Sequence, residues 1–146
     1  IFVPPPLIFV SALVLGIVID GRLAAPPPAP HWLIAASAPL ILAGLALPLA
    51  GLLIFLRRGA RAEPWQGTDI MVTGGVYRFT RNPMYLGFAL VYAGLAVMFQ
   101  SPAAGLLLVP VLVIIDRLVI AREEAYLARR FGAGYDEYRR NVRRWV

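Results

Sequence analysis

Four runs of apolar residues alternate with polar or proline-rich segments along the chain. The runs cover residues 7–19, 32–56, 84–99 and 103–120. Each comes close to the roughly 20 residues that an α-helix needs to cross a bilayer, the third run being the shortest. Residues 100–102 carry no charge and fit a tight turn between antiparallel helices. The pattern predicts about four transmembrane helices, at about residues 4–20, 32–56, 84–99 and 103–121.

Prolines lie at the starts of these helices and inside one of them. Three consecutive prolines precede the first run, where proline suits the first helical turn. Pro39 and Pro48 fall inside the second run. A proline within a helix frees a backbone carbonyl, which a neighbouring helix can satisfy in a membrane. We therefore expect a kinked second helix with another helix packed closely against it.

Composition supports a membrane protein with a single domain. Of the 146 residues, 60% are hydrophobic and only 15% are charged, and the mean hydropathy is +0.72. A soluble domain of this length could not remove so much apolar surface from water. The chain has no cysteine, which excludes disulfides, thiolate metal sites and cysteine nucleophiles. A zinc site cannot be built on the single His31, so no metal site is predicted.

All 14 basic residues are arginines, and their distribution predicts an orientation. Residues 57–83 carry five of them and residues 122–146 carry seven, whereas the first connection carries only Arg22. The positive-inside rule makes these two segments, and hence both termini, cytosolic, in the cytoplasmic membrane if the protein is bacterial. Because the arginines flank apolar runs, anionic lipid headgroups rather than nucleic acid are the predicted partner. No basic region precedes the first run, so no cleaved signal peptide is expected.

The two cytosolic segments differ in their predicted structure. Residues 57–83 show no helical pattern, yet their aromatic content indicates an ordered, functional segment. Residues 121–131 continue the fourth helix, and the glycines at 132–134 interrupt it. Residues 135–146 then place apolar side chains near a 3.6-residue period between arginines. This pattern predicts a C-terminal amphipathic helix that lies on the membrane surface.

A first polar cluster precedes the third apolar run, at residues 75–87. Pro83 suits the first turn of a helix and disfavours helical geometry in the residue before it, which makes Asn82 the predicted N-cap. Free backbone amides at such a helix start can receive an anion or a ligand carboxylate. Arg78 and Arg81 could equally bind lipid phosphates alone, and both interpretations stay open.

A second cluster lies at the end of the fourth run. Helical spacing places Arg117 and Glu124 on one face and Asp116 and Glu123 on another. At most one of the adjacent glutamates is therefore expected to face a given ligand, and a solvated run of charges is the alternative. Both clusters lie at the same membrane face of neighbouring antiparallel helices, so they can form one site.

Together the two clusters resemble the isoprenylcysteine carboxyl methyltransferase family. The segment Arg81-Asn82-Pro83-Met84-Tyr85-Leu86-Gly87 is similar to that family's Arg-His-Pro-x-Tyr-x-Gly motif. A second similarity, to the family's C-terminal signature, involves Glu123, Glu124, Leu127, Phe131, Gly132, Tyr135, Tyr138, Val142 and Arg143. The resemblance covers residues 68–143, about half the chain. The related phospholipid N-methyltransferases share the architecture and the glutamate pair.

This resemblance implies an integral-membrane methyltransferase that uses S-adenosylmethionine, has no Rossmann domain and acts on a lipophilic small molecule or a lipidated substrate. The cofactor would lie on the cytosolic side, where a carboxylate favours its sulfonium and ammonium groups and Arg81 favours its carboxylate. Arg117, to orient the acceptor, and Glu124, as a base, are the predicted catalytic residues. The implied cofactor-binding residues are Tyr77, Arg81, Asn82, Tyr85, Leu86, Gly87, Glu123 and Glu124.

Two departures from the family pattern affect the predicted acceptor. Asn82 stands where the family usually has histidine, and the position of a substrate-contacting arginine falls on Val119. Arg117 and Arg122 lie near that position but out of register. An acceptor carboxylate remains the leading prediction. The alternatives are a phospholipid or other lipid N-methyltransferase and a non-catalytic membrane protein that binds anionic lipid.

Overall fold

The computed structural model describes residues 3–59 and 70–146, which form six α-helices and no strand. Residues 60–69, in the middle of the predicted cytosolic segment, lie outside the described part. The helices are α1 (Pro5–Ile19), α2 (His31–Arg57), α3 (Pro83–Met98), α4 (Pro102–Ile114), α5 (Ala121–Phe131) and α6 (Ala133–Asn141). A 3₁₀ turn, Gly75–Arg78, precedes α3, and a π-helical turn, Ile115–Ile120, joins α4 to α5.

Four apolar helices, α1 to α4, occupy the four predicted runs. Within the described residues, two helices are long and apolar enough to cross a membrane, namely α2 and the continuous helix Pro102–Phe131. Helices α1 and α3 are shorter apolar helices of 15 and 16 residues. Most of the large apolar side chains that stay exposed belong to α1, α2 and α4. These helices therefore present an apolar surface outward as well as inward.

Helices α2 and α3 pack closely because small residues and a proline meet at their interface. A Cβ atom added to Gly44 would lie 2.7 Å from the carbonyl oxygen of Gly87, and one added to Gly87 would lie 2.3 Å from Cδ of Pro48. Neither position has room for a side chain. Pro39 and Pro48 both lie inside α2, as predicted. This contact holds the start of α3 in place.

Helices α1 and α4 form a second close pair, completed by α3. Gly16 lies against the backbone of Ala104, and Phe9 packs edge-on against Tyr92 of α3. The Tyr92 hydroxyl donates a hydrogen bond of 2.7 Å to the carbonyl oxygen of Ala104. At the predicted outer end, the Asp20 carboxylate accepts a 2.7 Å bond from the Ser101 hydroxyl. The hairpin between α3 and α4 is thereby tied to the end of α1.

The π-helical turn changes which side chains share a face beyond α4. Here the Ala121 backbone N–H donates to the carbonyl oxygen of Asp116, an i→i+5 bond that makes the turn wider than in an α-helix. Regular spacing placed Arg117 with Glu124, but the Arg117 side chain is 79% exposed and that of Glu124 only 11%. Asp116, instead, lies on the side of Glu124, since Arg144 contacts both carboxylates.

The C-terminal helix is shorter than predicted. Gly132 interrupts the chain after α5 with φ +57°, a left-handed conformation that favours glycine. Helix α6 ends at Asn141 rather than at Val146, because Val142 adopts extended backbone geometry. Residues 142–146 then turn back, and the side chains of Arg144 and Trp145 reach Asp116. We call residues 142–146 the C-terminal segment.

Candidate active site

A cavity of about 350 Å³ lies between the start of α3, the 3₁₀ turn, α5 and α6. Its polar lining contains two arginines, two glutamates, an asparagine and several tyrosines. The apolar lining comes from α2, from residues 70–72, from the start of α3, from the π-helical turn and from α5. Six of the predicted cofactor-binding residues line it, namely Tyr77, Arg81, Asn82, Tyr85, Glu123 and Glu124. A volume of this size is within the range of small-molecule sites.

Glu124 is the centre of a buried ion cluster. Its Oε1 accepts bonds of 2.7 Å from Nη1 of Arg81 and 3.0 Å from Nε of Arg144. Its Oε2 accepts a bond of 2.5 Å from Nη2 of Arg144. Two guanidinium groups therefore saturate this carboxylate, with Arg144 in a bidentate arrangement. Nη1 of Arg144 also donates to Oδ2 of Asp116 at 3.0 Å, which extends the cluster to the π-helical turn.

Glu123 has a different environment from its neighbour. The Tyr85 hydroxyl donates to its Oε1 at 2.6 Å, and no arginine of the described residues pairs with it. Both glutamates line the cavity, although regular spacing predicted that at most one would face a given ligand. Their contacts nevertheless separate them. Two guanidinium groups balance the charge of Glu124. Burial raises the pKa of Glu123 to about 7, so this carboxyl is partly ionised at neutral pH, and a cationic ligand beside it would favour the charged form.

Arg81 carries a nitrogen that protein groups leave unsatisfied. Its Nη1 contacts Glu124 and lies 3.5 Å from the Tyr135 hydroxyl, but its buried Nε has no hydrogen-bond partner among the described residues. A buried donor without a partner is costly, because it has lost its water without replacement. Arg81 lines the cavity. The guanidinium of Arg81 therefore borders the space in which an anionic ligand would bind, whereas its Nε is not exposed to that space.

Asn82 is the N-cap residue of α3, as predicted, but its side chain makes no capping hydrogen bond to the helix. Its Nδ2 instead donates to the carbonyl oxygen of Arg144 at 2.9 Å. Its backbone N–H donates to Oγ1 of Thr80 at 3.1 Å. The C-terminal segment therefore binds the Asn82 side chain just before the first turn of α3. Pro83 occupies the first helical turn as predicted.

Two tyrosines fix the far wall of the cavity. The Tyr138 hydroxyl of α6 donates a 2.7 Å bond to the carbonyl oxygen of Tyr77 in the 3₁₀ turn. Burial raises the pKa of both phenols above the ordinary value, so both remain neutral donors at physiological pH. The hydrogen bonds to Glu124 raise the pKa of Arg144, which keeps that guanidinium charged. Phe55 of α2 packs edge-on against Tyr77.

Three predicted site residues lie outside the cavity lining: Arg117, Leu86 and Gly87. Arg117 is exposed and lies 3.6 Å from the carboxylate of Asp116, because the π-helical turn rotates it away from Glu124. Gly87 serves the contact with α2 described above. Arg122 lines the cavity instead of Arg117, is exposed, and has no hydrogen-bond or ion-pair partner among the described residues.

Sequence reasoning missed the role of Arg144 and Trp145. The C-terminal arginines form a uniform basic series, and nothing local distinguishes Arg144 from Arg140 or Arg143. Tyr135 and Tyr138 did carry a signal, since both belong to the C-terminal signature. The only indication for Arg144 was the presence, 28 residues earlier, of an aspartate near the predicted membrane boundary that needed a partner.

Comparison with known proteins gives one family and several partial relatives. A sequence profile for the family described as phospholipid methyltransferase matches residues 33–134. The protein-S-isoprenylcysteine O-methyltransferase of Schizosaccharomyces pombe is 36% identical over 73 residues, which cover 50% of this chain and 31% of that protein. The "Probable protein-S-isoprenylcysteine O-methyltransferase" of Oryza sativa subsp. indica is 36% identical over 72 residues, 49% of this chain and 38% of that protein.

A bacterial relative is matched over its whole length. This uncharacterized protein of Haemophilus influenzae is 35% identical over 63 residues, which cover 43% of the present chain and 100% of the relative. The chain spans about a third of the length of the two methyltransferases named above. No solved structure matches the chain.

Proposed function

Because the chain belongs to the phospholipid methyltransferase family, we propose that it transfers a methyl group from S-adenosylmethionine to a lipophilic acceptor in a membrane. The observation that carries this proposal is the charge arrangement of the cavity. Arg81 brings its guanidinium to the cavity wall, and Glu123 brings a carboxyl that pairs with no arginine of the described residues. With Glu123 ionised, the two groups have the opposite charges needed for the carboxylate of the cofactor and for its ammonium and sulfonium groups.

The residues present fit this cofactor. Arg81 would hold its carboxylate, Glu123 would face its cationic groups, and Tyr77, Tyr85 and Asn82 would line the same space. When bound, S-adenosylmethionine supplies an electrophilic methyl group. The contribution of the protein is then to hold donor and acceptor in line and to exclude water, since the displacement needs little acid–base assistance. In this assignment Glu124 is a structural anchor for Arg81 rather than the base predicted from sequence.

We place the four apolar helices across the membrane, with both termini cytosolic. The outward-facing apolar side chains of α1, α2 and α4 support this placement, because a water-soluble chain rarely exposes so much apolar surface. The polar helices α5 and α6 then lie on the cytosolic side with most of the arginines. The cavity sits at this boundary, where a water-soluble cofactor and a membrane-bound acceptor can meet.

The first candidate acceptor is a carboxylate on a lipidated molecule, because the named relatives are isoprenylcysteine O-methyltransferases. A lipid amine is the second candidate, because the matching family is described as phospholipid methyltransferase. An amine must lose a proton before it can attack, and Glu123 is the carboxylate placed to receive one. In both cases Arg122 at the cavity replaces Arg117 as the side chain available to orient the acceptor.

Binding of S-adenosylhomocysteine tests the proposal. We expect the purified protein to show a ligand-dependent rise in melting temperature, as any ligand of the native state produces. Arg81→Ala should abolish most of this rise, whereas Arg130→Ala, at an exposed arginine outside the cavity, should keep it. The absence of any rise in the unaltered protein would remove the enzyme hypothesis and favour a protein that only binds anionic lipid.

Labelled-methyl transfer into a membrane extract identifies the acceptor. A carboxyl methyl ester releases labelled methanol in mild base, whereas an N-methyl product retains the label. The two outcomes distinguish the two candidate acceptors directly.

A further inference from the structure

The C-terminal segment is held against the site by a set of specific contacts. The carbonyl oxygen of Arg143 accepts a 3.0 Å bond from the backbone N–H of Arg81. The carbonyl oxygen of Arg144 accepts bonds from the Asn82 side chain at 2.9 Å and from the Thr80 hydroxyl at 3.4 Å. Residues 80–82, which lead into α3, are thus bound to the last residues of the chain.

The side chains of this segment bind the opposite wall. Arg144 binds Glu124 of α5 with two nitrogens and Asp116 of the π-helical turn with a third. Trp145 donates to the other oxygen of Asp116 at 3.0 Å. Arg144 therefore bridges the two walls of the cavity, with its backbone on the residues before α3 and its side chain on the helix carrying the glutamate pair.

We propose that Arg144 is a positioning residue that sets Arg81 for recognition of the cofactor carboxylate. This proposal rests on the proposed function, because Arg81 and Arg144 belong to the site at which the cofactor would bind. Arg144 binds Glu124 from one side, Glu124 binds Nη1 of Arg81 on the other, and the Arg81 side chain lines the cavity in which the ligand would bind. Without the Arg144 side chain, Glu124 keeps a single partner, and the segment that accepts the Arg81 backbone N–H loses its ion pairs to α5 and to the π-helical turn.

This role differs from the headgroup anchoring expected for C-terminal arginines. An anchor needs only positive charge near the membrane surface, and Arg140 satisfies that condition equally well. Arg140 is exposed and has no hydrogen-bond or ion-pair partner in the described part of the chain. A positioning role needs the planar, forked guanidinium, because lysine is a point charge that cannot bind two carboxylate oxygens in the same way. Arg140 therefore provides a matched control with the same charge.

The test compares a ligand that carries the amino-acid portion of the cofactor, whose carboxylate Arg81 is proposed to recognise, with a ligand that lacks this portion. S-Adenosylhomocysteine carries the amino-acid carboxylate, whereas 5′-methylthioadenosine keeps the adenosine and a thioether but lacks the amino-acid portion. Dissociation constants of both are measured for the unaltered protein, Arg144→Ala, Arg144→Lys and Arg140→Ala. We expect Arg144→Ala to weaken S-adenosylhomocysteine roughly tenfold or more, the size of one lost charge-assisted hydrogen bond. Binding of 5′-methylthioadenosine should stay unchanged.

The variants Arg144→Lys and Arg140→Ala distinguish a positioning role of Arg144 from a general effect of its charge. Arg144→Lys should recover only part of the lost affinity, and Arg140→Ala should behave as the unaltered protein. Where Arg144→Ala does not yield folded protein, Arg144→Lys compared with Arg140→Lys gives the same contrast. Equal affinities in the Arg144 and Arg140 variants overturn the inference, as does an equal loss for both ligands, which would indicate general loosening. If the unaltered protein binds neither ligand, the proposed function fails and this inference fails with it.

Discussion

Changing the two adjacent glutamates to glutamine, one at a time, should affect different properties, namely stability for Glu124 and ligand affinity for Glu123. Glu124→Gln removes a charge that is only 11% exposed and that contacts two guanidinium groups. Removing one partner of a buried ion pair costs about 3–5 kcal/mol, and the partial exposure of Arg144 argues for the lower end. About 3 kcal/mol is a large part of a typical stability of 5–15 kcal/mol. For a chain of this size it corresponds to a fall in melting temperature of roughly 6–12 °C.

Glu123→Gln should act on the ligand rather than on the fold. The amide oxygen of glutamine can still accept the hydrogen bond from the Tyr85 hydroxyl, and no ion pair is lost among the described residues. Stability should therefore change by less than about 1 kcal/mol. Above a pH of about 7, where Glu123 is mostly ionised, the substitution removes the charge opposite a cationic ligand, and a hydrogen bond to a charged group is worth about 1.5–3 kcal/mol. Affinity for S-adenosylhomocysteine should fall roughly 10- to 100-fold.

Two measurements on the same detergent-solubilised samples separate the effect on stability from the effect on affinity. Thermal unfolding without ligand gives the stability change, and a titration with S-adenosylhomocysteine gives the affinity. The expected pattern is a large loss of melting temperature in Glu124→Gln and a large loss of affinity at nearly normal melting temperature in Glu123→Gln. Equal falls in melting temperature, or unaltered affinity in Glu123→Gln, would refute the division of roles between the two carboxylates.

Two further predictions concern stability away from the cavity, and both are checked by thermal unfolding. Gly87→Ala should destabilise by about 1–3 kcal/mol, because its Cβ would lie 2.3 Å from Pro48, whereas Gly105→Ala in α4, with nothing within 4 Å, should be neutral or stabilising. The hydrogen bond from the Ser101 hydroxyl lowers the pKa of Asp20, and the bond from the backbone N–H of Ala103 lowers it by a smaller amount. This carboxylate therefore stabilises the fold above its unfolded-state pKa of about 4, and the advantage over Asp20→Asn should disappear as the pH falls through the lowered folded-state pKa.

The helices were predictable because their signals are local. Apolar runs fix the four long elements, and prolines such as Pro83 mark their starts within a residue or two. The end of the fourth helix was not predictable in the same way, since a π-helical turn has no pattern that distinguishes it from a regular turn in one sequence. That single wider turn changed the predicted partners of Glu124, and it removed Arg117 from the site.

The C-terminal segment illustrates a second limit. Its spacing of tyrosines and arginines satisfies a helical period up to Val146, but Val142 is extended because Arg144 and Trp145 bind groups 20 to 29 residues earlier in the chain. Local pattern carries no information on such contacts. Arg81 and the glutamate pair were predictable because they stand at the ends of apolar runs, which placed both clusters at one membrane face, and the family resemblance then assigned their roles.

Charge balance explains why the ligand-binding role falls on so few side chains. Arg81 and Arg144 pair with Glu124 and Asp116, and the exposed Arg117 adds a third positive group 3.6 Å from Asp116. Charges paired in this way can be placed at the edge of an apolar helix bundle at lower cost than isolated charges. In the proposed function, ligand binding then depends on the two charged side chains that line the cavity and differ in their pairing, Arg81 and Glu123. Removing Arg144 would leave Glu124 with Arg81 as its single partner, so we expect weaker positioning of Arg81 for the proposed cofactor carboxylate.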